Sequence, residues 1–348
     1  GVVDCGLGAT MVIENCHTSG NVSGGTLGGI VGTLYGGYTG SQLTIRNCTS
    51  SAAIVTSGNG GGMAGVIRTR SGENSGKILV EECRFQGSAG ATGRYGKPTG
   101  MVSGIYMDGA AGEIRLTRCV NEADIKGSSY VSLGGLVCET DNRASVLVEK
   151  SVNKGSIHNG YWTGGIAGSI AANTTISQCY NTGEIGYAYV GGGMGGICGN
   201  SSGTILDCYN DGEILHTSAM DYSGGITGRN GGVIENCYNV GTVPESGNTS
   251  VDVSYPGAIS CTNDNLIRHC YFNLDEVPQQ WLIAKAYCGE EPREVYTSQD
   301  GKRVESGGLA TAAMKTGESY VNWDFESVWE FDSEYAYGYP VLTGIKDL

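Results

Sequence analysis

Short stretches of alternating apolar and polar residues recur along this chain, and each reaches an aliphatic residue three places before a cysteine. The pairs are Ile13/Cys16, Ile45/Cys48, Val80/Cys83, Leu116/Cys119, Ile176/Cys179, Ile205/Cys208, Ile234/Cys237 and Ile267/Cys270, with Val148/Ser151 as a ninth copy carrying serine. Successive copies lie 32, 35, 36, 32, 28, 29, 29 and 33 residues apart. Alternation with period two predicts half-buried strands. A unit of about thirty residues that repeats in this way predicts a solenoid, because one unit cannot bury its apolar face alone.

The clearest units run from Thr175 to Gly228. Thr175-Ile176-Ser177-Gln178-Cys179 reads as a strand, Tyr180-Asn181-Thr182-Gly183 as a turn, Glu184-Ile185 as a second extended segment, and Gly195-Gly196-Ile197-Cys198-Gly199 as a third. The next unit repeats this order from Thr204 to Gly228. Three extended segments per coil predict an all-β fold, a right-handed parallel β-helix (β-solenoid) of about nine coils. Helical repeats are disfavoured, since each glycine would cost a helix about 1 kcal/mol. Glycine inside a strand marks a bend or a close backbone approach; here it should let one wall of a narrow coil approach the other. Asn121, Asn153, Asn181, Asn210 and Asn239 fall two residues after the ladder position and should hydrogen-bond along the axis as stacked amides do. Tyr180, Tyr209, Tyr238 and Tyr271 form a parallel row. That row is expected either to stack ring on ring or to offer a sugar-binding strip.

Composition sharpens this picture. Sixty glycines in 348 residues exceed the usual share more than twofold, without a collagen triplet. The net charge of −14 argues against nucleic acid and anionic membranes as partners. No apolar run is long enough to span a membrane, and no signal peptide is apparent, so the chain reads as mature or excised from a longer polypeptide. Thirteen cysteines would suggest a disulfide scaffold. Stacked in register about 4.8 Å apart, however, the ladder cysteines suit buried apolar fillers better than disulfide geometry. Cys5, Cys138, Cys198, Cys261 and Cys288 lie off the ladder, where a disulfide stays open.

Gly28-Gly29-Ile30-Val31-Gly32 and its copies, followed by Cys-Tyr-Asn-x-Gly, resemble the GLUG-motif repeat across roughly residues 10 to 276. The coils between Cys48 and Cys119 depart from it, with Thr49-Ser50 and Arg84-Phe85 in place of Tyr-Asn. The resemblance implies a large secreted or surface-attached bacterial protein, hence an extracellular or cell-surface location. The repeat also accompanies immunoglobulin A-cleaving metallopeptidases as a non-catalytic segment.

The rhythm stops after Phe272, dividing the chain into a solenoid over residues 1–276 and a capping region over 277–348. The second part holds Trp281, Trp323 and Trp329, has helix propensity from Leu309 to Lys315, and reads as strand and turn from Trp323 to Phe331. An aromatic-rich cap of this kind would cover the last rung, whose bare edge otherwise invites pairing. Irregular coils two to four insert Arg68-Thr69-Arg70-Ser71-Gly72 and Gly93-Arg94-Tyr95-Gly96-Lys97-Pro98. Solenoid insertions gather on one face, so Arg68, Arg70, Arg94, Tyr95, Tyr106 and Asp108 are the candidate binding residues, for an acidic or sugar ligand.

Candidate chemistry is sparse. His17, His158, His216 and His269 have no metal-ligand spacing, no His-Glu-x-x-His is present, and no cofactor or metal is expected. Gly72 to Lys77 imitates a phosphate loop but is too short and precedes Ile78-Leu79-Val80 rather than a helix. A β-helical glycosidase would need paired carboxylates about 5–9.5 Å apart on one column. The outward column reads Glu14, Arg46, Glu81, Thr117, Glu149, Ser177, Leu206, Glu235, Arg268, with no two acids adjacent. The sequence therefore predicts a non-catalytic stalk, spacer or adhesin-like surface whose partner would be a host glycan or protein. The alternatives are a β-helical polysaccharide lyase or glycoside hydrolase, and an accessory region of a larger secreted peptidase.

Overall fold

A computed structural model describes the chain apart from residues 70–75, 108–111, 144, 216–221, 244–255, 277–281, 284–295, 298–302, 305 and 335. The aliphatic ladder residues fall in one register: Ile13, Ile45, Val80, Leu116, Val148, Ile176, Ile205, Ile234 and Ile267 are successive strand partners. They line a parallel sheet of nine strands, from Thr10–Glu14 to Leu266–Arg268, here called face 1. Alternation does what the pattern predicts. From the second coil onward the ladder residue is fully buried, while its neighbours point outward.

Each coil then continues through three more faces. Face 2 stacks two- and three-residue strands from His17–Thr18 to Tyr271–Asn273 and gains a tenth strand, Gly307–Leu309. Face 3 runs from Asn21–Gly24 to Ile214–Leu215, and face 4 stacks nine strands from Val2–Asp4 to Ser260–Asn263. The result is a parallel β-solenoid whose nine-strand faces match the expected number of coils. Among the described residues no helix is long and apolar enough to cross a membrane.

The prediction of three segments per coil is corrected to four. Tyr180-Asn181 and its equivalents are not turns but extended pairs bonded to the coils on either side. The corner lies two residues before the turn the sequence suggests, at Gln178 rather than Tyr180. Asn15, Asn47, Glu82, Arg118, Lys150, Gln178, Asp207, Asn236 and His269, each just before the ladder cysteine or serine, have φ between 47° and 54°. A left-handed residue turns the chain sharply from face 1 to face 2, a conformation that asparagine and aspartate tolerate best.

The cysteine behind each corner points inward. From Cys48 to Cys270 the Sγ atoms donate to the carbonyl two residues back at 3.2–3.5 Å, across the left-handed corner. Ser151 makes the same bond with its hydroxyl at 2.6 Å. All twelve described cysteines are free, and all but Cys16 are buried. Cys5, Cys138, Cys198 and Cys261 therefore form no disulfide; Cys288 lies outside the described residues.

Beside this column, Asn121, Asn153, Asn181, Asn210 and Asn239 pass hydrogen bonds along the axis at 2.7–2.8 Å. Each Nδ2 also donates to the carbonyl two residues ahead at 2.8–3.0 Å. The opposite wall makes room for these amides. A Cβ on Gly165 would stand 2.4 Å from Asn181 Cγ, and one on Gly196 2.1 Å from Asn210 Cγ. Where Phe85 replaces the asparagine, the facing Gly62 still has no side chain to spare it, since a Cβ would meet the ring at 2.4 Å.

The described C-terminal aromatics, Tyr320 to Tyr339, lie beside the coils rather than on the tip, and Trp281 is outside the described residues. Leu282 and Gly307–Leu309 cover parts of the last coil, with the Leu282 carbonyl accepting from Ile259 and Ser260 N–H at 3.0 and 3.2 Å. From Met314 onward the chain runs back along the outside of face 2 as a lateral strap, reaching the third coil. Tyr320 meets Tyr271 edge-on at 5.2 Å, and Trp329 lies 5.9 Å from Tyr238 and 6.3 Å from Tyr209. Arg118 donates to the Gly344 carbonyl at 3.0 Å, while Lys154 and Arg84 reach the main-chain oxygen of Leu348 at 2.7 and 3.3 Å. The tyrosine column explains the placement: Tyr180, Tyr209 and Tyr238 stack at 4.8 and 5.0 Å and present a flat apolar face that the strap buries. The expected helix over Leu309 to Lys315 shrinks to a short 3-10 turn, Ala313–Lys315. Trp329–Phe331 pairs antiparallel with Pro340–Leu342.

Candidate functional site

Inward positions are committed to packing, so any site must use outward side chains. The face 1 column holds the register read from the sequence, from Glu14 to Arg268. Three of its four acids meet arginines of neighbouring coils: Glu14 with Arg46 and Glu235 with Arg268, both at 2.5 Å, and Glu149 with Arg115. These exposed pairs contribute little stability each, but they neutralise carboxylates that a glycosidase would need free.

The tyrosine row is not an open sugar strip. Tyr180, Tyr209, Tyr238 and Tyr271 are no more than 5% exposed, because the strap covers them. Burial and their ring neighbours push the phenols of Tyr209 and Tyr238 well above their ordinary range.

Of the insertion residues, four are described and they form two clusters rather than one. Arg68 and Tyr106 are partners on adjacent strands of face 4, with the guanidinium 5.6 Å from the ring centroid. The ring of Tyr106 folds back over Gly104, where a Cβ would stand 2.4 Å from it. Its hydroxyl donates to Glu139, which also ion-pairs with Lys97, and Lys97 Nζ lies 3.3 Å from the same hydroxyl. Burial, then the Glu139 carboxylate, raises the Tyr106 phenol far above its usual range, so it stays protonated and cannot act as a base. Arg94 belongs to the preceding turn. Its guanidinium lies 4.3 Å from the Tyr130 centroid and donates to the Tyr130 hydroxyl at 2.9 Å. Tyr95 beside it is 64% exposed. Arg70 and Asp108 lie outside the described residues.

Lys97, in the first cluster, opens the strand Lys97–Thr99, and corresponding positions of later coils carry side chains the insertion pattern does not flag. Two places before the coil's glycine, or before Thr99 in its place, stand Lys97, Ser132, Trp162, Gly193 and Tyr222; the last three are register partners on successive strands. Trp162 and Tyr222 are half-buried, 6.2 Å apart between centroids and inclined by 29°. Tyr161 meets Trp162 edge-on at 5.2 Å. The available signal was outward position: an aromatic two residues before Gly164 or Gly224 must face solvent when the next residue faces in.

Nucleophilic chemistry has little support. Burial pushes the thiols of Cys138, Cys198 and Cys261 up to about 12, so they remain protonated at neutral pH. Among the described residues no group of three or more His, Cys, Asp or Glu side chains converges as a metal site.

No family model matches the chain, and no curated protein matches it. A solved structure of a candidate immunoglobulin A1 protease from Bacteroides ovatus is similar at 15% identity and a TM-score of 0.40, covering 93% of this chain and 91% of that one. A likeness of that size bears on neither the site nor the activity.

Proposed function

We propose that the chain is a non-catalytic, extracellular β-solenoid segment of a bacterial surface protein, acting as a spacer whose outer faces bind. The observation that carries this reading is how the outward carboxylates are spent. On face 1 Glu14, Glu149 and Glu235 pair with arginines of adjacent coils, and on face 4 Glu139 is held by Lys97 and Tyr106. That leaves polar and aromatic surface suited to contact rather than proton transfer. The resemblance of the repeat to GLUG arrays supports an extracellular setting, and the −14 charge agrees with a partner that is neither nucleic acid nor an anionic membrane. A host glycan or a host protein fits.

Incubation with a panel of neutral and acidic polysaccharides, followed by reducing-end and unsaturated-product assays, tests the reading. No product should form, while beads coated with the chain should retain host glycan or glycoprotein. Sustained turnover of any member would replace this proposal with a β-helical carbohydrate-active enzyme.

A further inference from the structure

We propose that the outward strip between faces 3 and 4, centred on Trp162 and Tyr222, binds a neutral glycan chain laid along the long axis. This rests on the binding-surface reading and gives it a place and a ligand class. Trp162 and Tyr222 sit two coils apart, with Gly193 between them in the same column. The indole lies across that glycine: a Cβ on Gly193 would stand 2.6 Å from Trp162 Cζ3. Because Gly193 contributes no side chain, the indole can lie over its backbone. The Trp162 and Tyr222 centroids lie 6.2 Å apart at 29°, a wider spacing than the 4.8 and 5.0 Å of the buried tyrosines. These two half-buried rings, with Tyr161 edge-on to the indole at 79°, line the strip with aromatic surface.

The chemistry of this strip selects its occupant. A peptide adding a strand is excluded, because Trp162 and Gly193 lie in strands paired in parallel with coils on both sides. An anionic polymer is opposed by the −14 charge, and Lys97 beside the strip is already neutralised by Glu139. An uncharged ligand with flat apolar faces and a polar rim matches rings that carry an indole N–H and phenolic hydroxyls. Pyranose units have this form, and a linear chain of them repeats along the same direction as the coils.

Isothermal titration with neutral hexasaccharides tests the idea, using β-1,4-glucan, β-1,3-glucan, β-1,4-mannan, β-1,4-xylan and an N-acetylglucosamine oligomer as probes. At least one should bind, and Trp162→Ala should weaken it about tenfold or more. Tyr222→Ala and Gly193→Ala, which removes a ring or displaces the indole, should weaken it about threefold or more. These last two keep the test valid if Trp162→Ala folds poorly by circular dichroism. Failure of every probe to bind, or unchanged affinity in all three variants, overturns the inference. If binding is lost only in Tyr95→Ala, the surface reading stands and this strip falls. If reducing ends accumulate while Trp162→Ala abolishes binding, the strip stands and the non-catalytic reading falls.

Discussion

At the residue scale, two buried polar groups set the terms. Asn181 donates to Asn210 at 2.8 Å and accepts from Asn153 at 2.7 Å. Asn181→Ala removes the partner of one Asn153 N–H and both side-chain bonds to the Gly183 main chain, while Asn210 Oδ1 keeps the Gly212 N–H, so it should cost about 3 kcal/mol, read as a lower denaturant midpoint. Asp207 is the second group. Burial raises its carboxyl from 3.8 to about 6, against hydrogen bonds from Asn236 and the Trp329 indole, with Cys208 and Glu235 adding to the rise. A raised acid contributes stability that is fully present below about pH 4 and lost as pH climbs through 6. Asp207→Asn should therefore stabilise the molecule at pH 8 by on the order of 2 kcal/mol and do little at pH 4. Asp211, raised to about 6 by burial and Glu276, would keep a residual pH slope in the variant. Thermal melts of both proteins from pH 4 to 8 check the sign.

At the scale of the element, the face 1 strand is the most legible part of the chain. Ile205 sits between Ile176 and Ile234 and is fully buried. Ile205→Asp places an uncompensated charge there and should unfold the central coils, removing the cooperative melt. The strap was less legible. Its aromatic content reads as a cap in the sequence, but where it lies depends on the tyrosine column of face 2, a long-range match that no local pattern encodes. Trp329 packs on two of those tyrosines, so Trp329→Ala should cost about 3–5 kcal/mol of strap packing. Limited proteolysis should then clip the strap while the coils stay resistant.

At the scale of the whole molecule, repetition made the solenoid readable: eight aliphatic–cysteine pairs in register leave little freedom for another fold. The four-face cross-section was not readable, because the corner residues before each cysteine vary from asparagine to lysine and glutamine. Only the backbone shows that all nine share one left-handed conformation. The site was legible in part. The insertion pattern pointed to Arg68, Arg94, Tyr95 and Tyr106, which flank the glycine-edge strip, yet it passed over Trp162 and Tyr222. Those two come together only because two coils bring distant residues into one column.

The strap's path has a mechanical consequence. Held by Gly1 and Leu348, the molecule would transmit tension through coils one to five and the Arg84, Arg118 and Lys154 attachments, leaving the later coils slack. Optical tweezers should record an early, low-force lengthening as the strap peels from Leu348 inward, followed by separate events as coils rupture. Crosslinking the strap to face 2 should erase that first step.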